Sequence, residues 1–128
     1  MNYVTDTHSL VWYFTGDSRL GKKALELFEG TIKEGAIIIP SIVLGEIMFI
    51  AKKGRISLTF AETLKRIEEY ENFYVVPLDV DILRVADKIE IDMEMHDNLI
   101  IATALYFEGT LITKDERIKK AGIVLTIW

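Results

Sequence analysis

Asp6, Glu46, Asp97 and Asp115 stand where ordinary folding would not ask for a charge. Asp6 follows the apolar start Tyr3-Val4 and precedes the aliphatic and aromatic run Leu10 to Phe14. Glu46 is the only charged residue between Ile42 and Ala51, and Asp97 opens the almost wholly apolar run Leu99 to Phe107. Asp115 closes the strand-like segment Thr110 to Thr113. A carboxylate beside buried surface is costly unless it is paired, hydrogen-bonded or bound to a metal. With no cysteine and two histidines, a thiolate or polyhistidine metal site is ruled out. Oxygen-only ligands point to a hard cation, Mg²⁺ or Mn²⁺.

Each acid also has an ordinary explanation. Asp6, Asp97 and Asp115 all stand at expected helix starts, where aspartate caps free backbone N–H groups and gains from the helix dipole. Glu46 has no cap to serve, and no basic residue lies three or four positions away from it. A shared pocket accounts for the four together better than four separate causes. Thr5, Thr7 and Thr113 flank the acids and could orient carboxylates, although threonine also favours strand ends for its β-propensity. His8 and His96 neighbour two of the acids and are assigned no catalytic role. Trp12, Tyr13 and Phe14 read as core, with room for one of them to stack on a base at the rim.

The elements that must position these acids alternate along the chain. Strands are expected at Asn2 to Thr5, Ala36 to Ile39, Tyr74 to Leu78, Thr110 to Thr113 and Ile123 to Ile127. Helices are expected at Thr7 to Phe14, Gly21 to Glu34, Ser41 to about Lys53, Thr59 to Glu71, Val80 to Ile91, Asp97 to Glu108 and Asp115 to Ala121. In these, Ser41 reads as a cap and Gly54 as a stop. Ala24, Leu25, Phe28 and Ile32 share one helical face, as do Phe60, Leu64 and Ile67. Ile82, Leu83, Val85, Ala86 and Ile89 are expected to face inward. Apolar strands separated by helices imply an α/β fold: a parallel sheet of about five strands covered by helices on both faces. Ligands in such sheets bind beyond the carboxyl ends of the strands, where Asp6 and Asp115 fall.

At 128 residues the chain is expected to form one domain, residues 1–128. Half of it is hydrophobic and only two residues are proline, which excludes a disordered or fibrous protein. No apolar run approaches the roughly 18 to 20 residues that span a bilayer. Met1-Asn2-Tyr3-Val4 does not look like the start of a signal peptide, and cysteine is absent, so a cytoplasmic location is expected. The net charge of −5 argues weakly against a nucleic acid partner. Cations on the four acids would take −5 to −1, and the bases are clustered, at Lys52, Lys53 and Arg55 and at Lys114, Arg117, Lys119 and Lys120. Local patches decide where a polyanion docks, although each cluster also reads as a solvated helix end.

Around the four acids the chain resembles the PIN-domain nucleases, and within them the VapC-type toxins of toxin–antitoxin pairs. Asp6-Thr7-His8-Ser9-Leu10-Val11-Trp12 is similar to the family's first-strand signature, an aspartate followed by Thr or Ser and an apolar helix. Ser41-Ile42-Val43-Leu44-Gly45-Glu46-Ile47 resembles the segment supplying its second acid. His96-Asp97-Asn98-Leu99-Ile100-Ile101-Ala102-Thr103-Ala104 resembles its most recognisable block, and Leu111-Ile112-Thr113-Lys114-Asp115 its last. The blocks come in family order and span essentially the whole chain. Glu116 and Arg117 follow Asp115, where some members carry a further aspartate; Asp92 and Glu94 precede Asp97 and could supplement the site.

The resemblance implies a three-layer α/β/α fold, a homodimer, a cognate antitoxin and Mg²⁺- or Mn²⁺-dependent cleavage of RNA. Asp6, Glu46, Asp97 and Asp115 are the expected catalytic and metal-holding residues, with Thr7 and Thr113 in support. Lys52, Lys53 and Lys114 are candidates for the RNA backbone. A housekeeping RNA-processing nuclease is the nearest alternative. Two other classes compete: a phosphoacceptor receiver domain, and a catalytically idle scaffold that only binds a partner. A receiver needs a second acid beside the first, whereas Asp6 is flanked by Thr5 and Thr7, and it leaves Glu46 and Asp97 unexplained. Lastly, the Ile42 to Ala51 helix is apolar nearly all round, so part of it must be covered by a second copy of the chain or by the next helix.

Overall fold

Apolar strands that cannot be left wet gather into one parallel sheet in the computed structural model, which describes residues 1–30 and 35–128. The described strands are β1 (Asn2–Thr5), β2 (Ala36–Pro40), β3 (Phe73–Val76), β4 (Thr110–Ile112) and β5 (Thr126–Ile127). They lie in the order β3-β2-β1-β4-β5, every pairing parallel. The helices are α1 (Thr7–Thr15), α2 (Lys22–Phe28), α3 (Ser41–Lys52), α4 (Phe60–Glu68), α5 (Val80–Asp87), α6 (Met95–Tyr106) and α7 (Glu116–Ala121). They flank the sheet as the outer layers of a three-layer α/β/α fold, as expected. Val4, Ile37, Ile39, Leu111 and Ile112 are almost wholly buried. Each such side chain contributes about 1.5–3 kcal/mol through its burial.

The strand order positions the site. From β1 the chain winds outward through β2 to β3, then crosses back to β4 on the other side of β1. The order therefore reverses between β1 and β4, and the crevice beyond their carboxyl ends is where such sheets bind ligands. Thr5 pairs with Ile112, so Asp6 and Thr113 leave the sheet side by side, and the Asp6 N–H donates to the Ile112 carbonyl at 3.3 Å.

Several boundaries differ from the sequence expectation. Helix α2 is seen over Lys22–Phe28, and the rest of the expected Gly21 to Glu34 segment lies partly outside the described residues, Ile32 included. Ser41 is the first helical residue of α3 and not its cap; its hydroxyl accepts the Leu78 N–H at 3.0 Å. Helix α4 stops at Glu68, because Glu69 and Tyr70 turn to i−3 carbonyls and Tyr70 stacks on Phe73 at 4.2 Å. Lys88 and Ile89 close α5 with the same tightening, short of Ile91. On α5 only Ile82 and Ala86 are fully buried, and Leu83 is exposed, since the helix packs mainly on α6. β3 starts at Phe73 and ends at Val76; it is an edge strand, with Tyr74 and Val75 half in solvent. β5 is two residues long, because Val124 turns into the core before pairing begins. Helix α6 begins at Met95, two residues before Asp97.

Candidate active site

Asp6, Thr7, Glu46, Asp97, Thr113, Lys114 and Asp115 line one open cavity of about 410 Å³ at the β1/β4 crevice. The four acids come from β1's end, the middle of α3, the first turn of α6 and β4's end. Capping turns out to be real for two of them. Asp6 Oδ1 accepts the Ser9 N–H at 2.9 Å, and Asp115 Oδ1 accepts those of Arg117 and Ile118 at 2.9 and 3.4 Å. A carboxylate has two oxygens, so capping with one leaves the other for the cavity. Asp97 caps nothing among the described residues: Glu94 is the residue before the helix, and Asp97 sits within the first turn. Capping therefore accounts for one oxygen each of Asp6 and Asp115, and not for Asp97.

Glu46 is held from one side by Thr7, whose hydroxyl donates to Oε1 at 2.6 Å. Thr7 is buried, so this bond is shielded from water. Thr113 accepts the Asp115 N–H at 3.1 Å and fixes the turn after β4. Ser9 Oγ donates to the Ile112 carbonyl at 3.2 Å and ties the start of α1 to the same strand end. Replacing Thr7 by Val, of nearly the same shape, is expected to cost about 1 kcal/mol of stability and to lower activity about 10- to 100-fold, as losses of orienting partners do. Melting and initial-rate measurements on the variant check both.

The electrostatics are those of crowded like charges. Burial raises the Asp97 carboxyl above the ordinary aspartate range; His96 opposes this, Asp115 and Glu94 add to it, and Arg117 opposes it. The His96 Nε2 stands 3.1 Å from Glu94, 3.5 Å from Glu46 and 3.7 Å from Asp97. Arg117 reaches 3.9 Å from Asp97 and 3.8 Å from Asp115. Sequence reasoning left His96 without a role and placed Arg117 only in a basic cluster. Arg117 is close to Asp115 by sequence alone, but only the fold brings His96 to Glu46 and Arg117 to Asp97.

The donor set fits a hard divalent cation. Carboxylate oxygens from four segments converge, and the ligand atoms of Glu94, His96 and Asp97 already lie within 4.8 Å of one another. Asp92 is exposed and lines a small neighbouring cavity beneath Asp97. Lys114 lines the main cavity, whereas Lys52 and Lys53, exposed at the end of α3, do not.

Of the three consecutive aromatics, Phe14 and Tyr13 join a cluster with Phe28, Tyr70 and Phe73, while Trp12 stands at the cavity. The Arg19 guanidinium lies 4.7 Å from the Trp12 ring centre and is paired with Asp17 at 2.7 Å. Hydrogen bonds from Arg19 hold the exposed Asp17 carboxyl down at about 2. Trp128 meets Trp12 edge-on at 5.9 Å. A Cβ at Gly21 would come within 2.6 Å of the Trp128 backbone and ring, so only glycine lets α2 begin here.

The site thus lies at the switch point of a parallel α/β sheet, with four acids in one cavity. The chain belongs to the PIN-domain family, whose model matches residues 3–124. Its fold is also that of VapC-type proteins. VapBC2 from Rickettsia felis superposes with a TM-score of 0.74 at 17% identity, covering 99% of this chain and 98% of that one. A toxin–antitoxin complex from Klebsiella pneumoniae gives 0.69 at 23% identity, over 98% and 96%. Mycobacterium tuberculosis VapC20, described as a sarcin-ricin loop cleaving toxin, gives 0.69 at 19%, over 97% of each. No curated protein matches the chain.

Proposed function

We infer that this chain is a Mg²⁺- or Mn²⁺-dependent endoribonuclease and the toxin of a toxin–antitoxin pair. One observation carries the reading: four carboxylates distant in sequence meet in one cavity at the sheet's switch point. Family membership supports a nuclease, and the toxins and toxin–antitoxin complexes among its structural relatives support the toxin over a housekeeping enzyme.

Asp6, Asp97 and Asp115 would hold the cation, and it would supply charge stabilisation at the phosphoryl oxygens and an activated water for in-line attack. Glu46, steadied by Thr7, faces the cavity as the group that orients that water and accepts its proton. Lys114 stands at the rim to meet the RNA backbone. His96 lies 3.5 Å from Glu46 and 3.7 Å from Asp97 and is placed to orient both carboxylates. Purified chain is expected to cut RNA with Mn²⁺ or Mg²⁺ and to stop in EDTA; RNA left intact with either ion would overturn the reading.

The proposed assembly is a homodimer paired through α3 and a complex with a cognate antitoxin. Phe49, near the end of α3, is 60% exposed although apolar, and Met48 beside it is half-buried. Burial beneath α4 covers part of α3 but leaves this surface open. Met48→Lys with Phe49→Lys is expected to sediment as a monomer. A dimer unaltered by both changes would place the interface elsewhere. The compartment proposed is the cytoplasm, where RNA is met; no described helix is long and apolar enough to cross a membrane.

A further inference from the structure

The acidic cavity does not end at its own rim. A second cavity of about 440 Å³ adjoins it and shares His8, Trp12 and Arg19, adding Arg55 at its far side. A third, of about 340 Å³, adjoins it elsewhere and shares Thr113, Lys114, Asp115 and Trp128, adding Lys23 and Lys119. All three fall within the roughly 300–1,000 Å³ usual for ligand sites. The four acids line the central cavity, and each flank adds cations of its own, Arg55 on one side and Lys23 and Lys119 on the other. Arg55, Lys23 and Lys119 are exposed and make no ion pair among the described residues.

The two tryptophans meet edge-on at 5.9 Å where the cavities join. Trp12 lines the first and second cavities, Trp128 the first and third, and these are the chain's only tryptophans. Both are partly exposed, so the pair offers an aromatic surface to a base beside the Arg19 guanidinium that lies over Trp12. Sequence-tolerant binding of single strands combines such ring surfaces with cations spaced along the backbone. On a protein of net charge −5, Arg19 and Arg55 on one flank and Lys23, Lys114 and Lys119 on the other form local patches where a polyanion can dock beside the acids.

The geometry points to a continuous single-strand track: the RNA passes from the Arg19–Arg55 groove over the Trp12–Trp128 pair, alongside the acidic centre, and into the Lys23–Lys119 groove. The inference rests on the ribonuclease reading and adds to it the path of the nucleotides on both sides of the cut. Occupied flanks on both sides make the scissile bond an internal one. They also account for Arg55, which the sequence grouped with Lys52 and Lys53: Arg55 reaches the track, and the two lysines do not line it.

Tryptophan fluorescence reads the track directly. A ten-nucleotide oligouridylate titrated into the full chain, in EDTA and again in Mg²⁺ before cleavage proceeds, is expected to quench the emission. A single strand gives a log–log salt slope of about −0.7 per neutralised phosphate. Arg55→Glu and Lys119→Glu are each expected to weaken binding about tenfold and to make the slope shallower by about 0.7 to 1. A dinucleotide, too short to reach both flanks, should be insensitive to at least one of the two changes. No quench in either buffer overturns the track, and so does a double variant that binds the ten-nucleotide strand with unaltered affinity and slope, whatever it does to antitoxin binding. Cleavage by the unaltered chain is scored in parallel. A chain that cuts RNA while ignoring both charge reversals loses the track alone; one that binds through the grooves and never cuts loses the nuclease reading and keeps the track.

Discussion

Asp97→Asn is expected to lower Mn²⁺-dependent RNA cleavage by about 10³-fold or more while the protein stays folded. The magnitude follows from the several kcal/mol a correctly held cation contributes, at about 1.4 kcal/mol per factor of ten. Asparagine keeps the shape and removes the charge that would hold the ion. No helix end depends on Asp97, since its carboxylate accepts no backbone N–H among the described residues. Loss of activity in this variant therefore cannot be blamed on a lost cap. Asp6→Asn is the companion: Asn caps nearly as well as Asp, so the Ser9 N–H keeps its acceptor while the cavity loses a charge. Initial rates beside thermal melts separate the two roles. Full cleavage by both variants would leave capping as the better account of these acids.

Metal binding should be visible in stability as well as in rate. A cation that binds only the folded chain adds about 2.7 kcal/mol at a hundredfold excess over Kd, on the order of 10 °C in Tm for a domain of this size. The metal-free protein should show the opposite face of the same charges. Asp97 has its carboxyl raised by burial, with Asp115 and Glu94 adding to the effect. The folded state then binds a proton more tightly than the unfolded state. Its contribution to stability is present below the ordinary aspartate range, around 3.8, and is lost as pH rises through the raised value. At neutral pH in EDTA, Asp97→Asn is accordingly expected to melt higher than the unaltered chain. With Mg²⁺ the order should reverse. Calorimetry at pH 7 with and without the ion reads both, and a midpoint indifferent to millimolar Mg²⁺ and Mn²⁺ would remove the metal site.

Much of this was legible before any coordinates. Ile37-Ile38-Ile39 and Leu111-Ile112 are apolar without alternation, which only a strand covered on both faces tolerates, so the parallel sheet could be read directly. Glu46 is conspicuous in the sequence because it stands alone among the apolar residues from Ile42 to Ala51. Helix α6 starts two residues before the expected Asp97 because Glu94 precedes it with no side-chain cap bond, so the usual Ser, Thr, Asp or Asn signal is missing there and Asp97 offers the nearest one. The early ends of α4 and α5 were hidden for a related reason: their apolar spacing continues past the point where the backbone tightens.

The sequence by itself determined the alternation of strand and helix, the four acids and the kind of ion they suit, because side-chain chemistry and hydrophobic period are local properties. Only the tertiary structure decided that Asp6 and Asp115 share a crevice, since that depends on β4 returning to the free side of β1, a strand order no local period encodes. It alone brought His96 to Glu46 and Arg117 to Asp97 across 20 to 50 positions of chain. It likewise set Trp128 against Trp12, a contact that exists because β5 pairs beside β4 and Gly21 leaves the room. Pair contacts of this kind are made by the packing of whole elements, and each is invisible until the elements have an order in space.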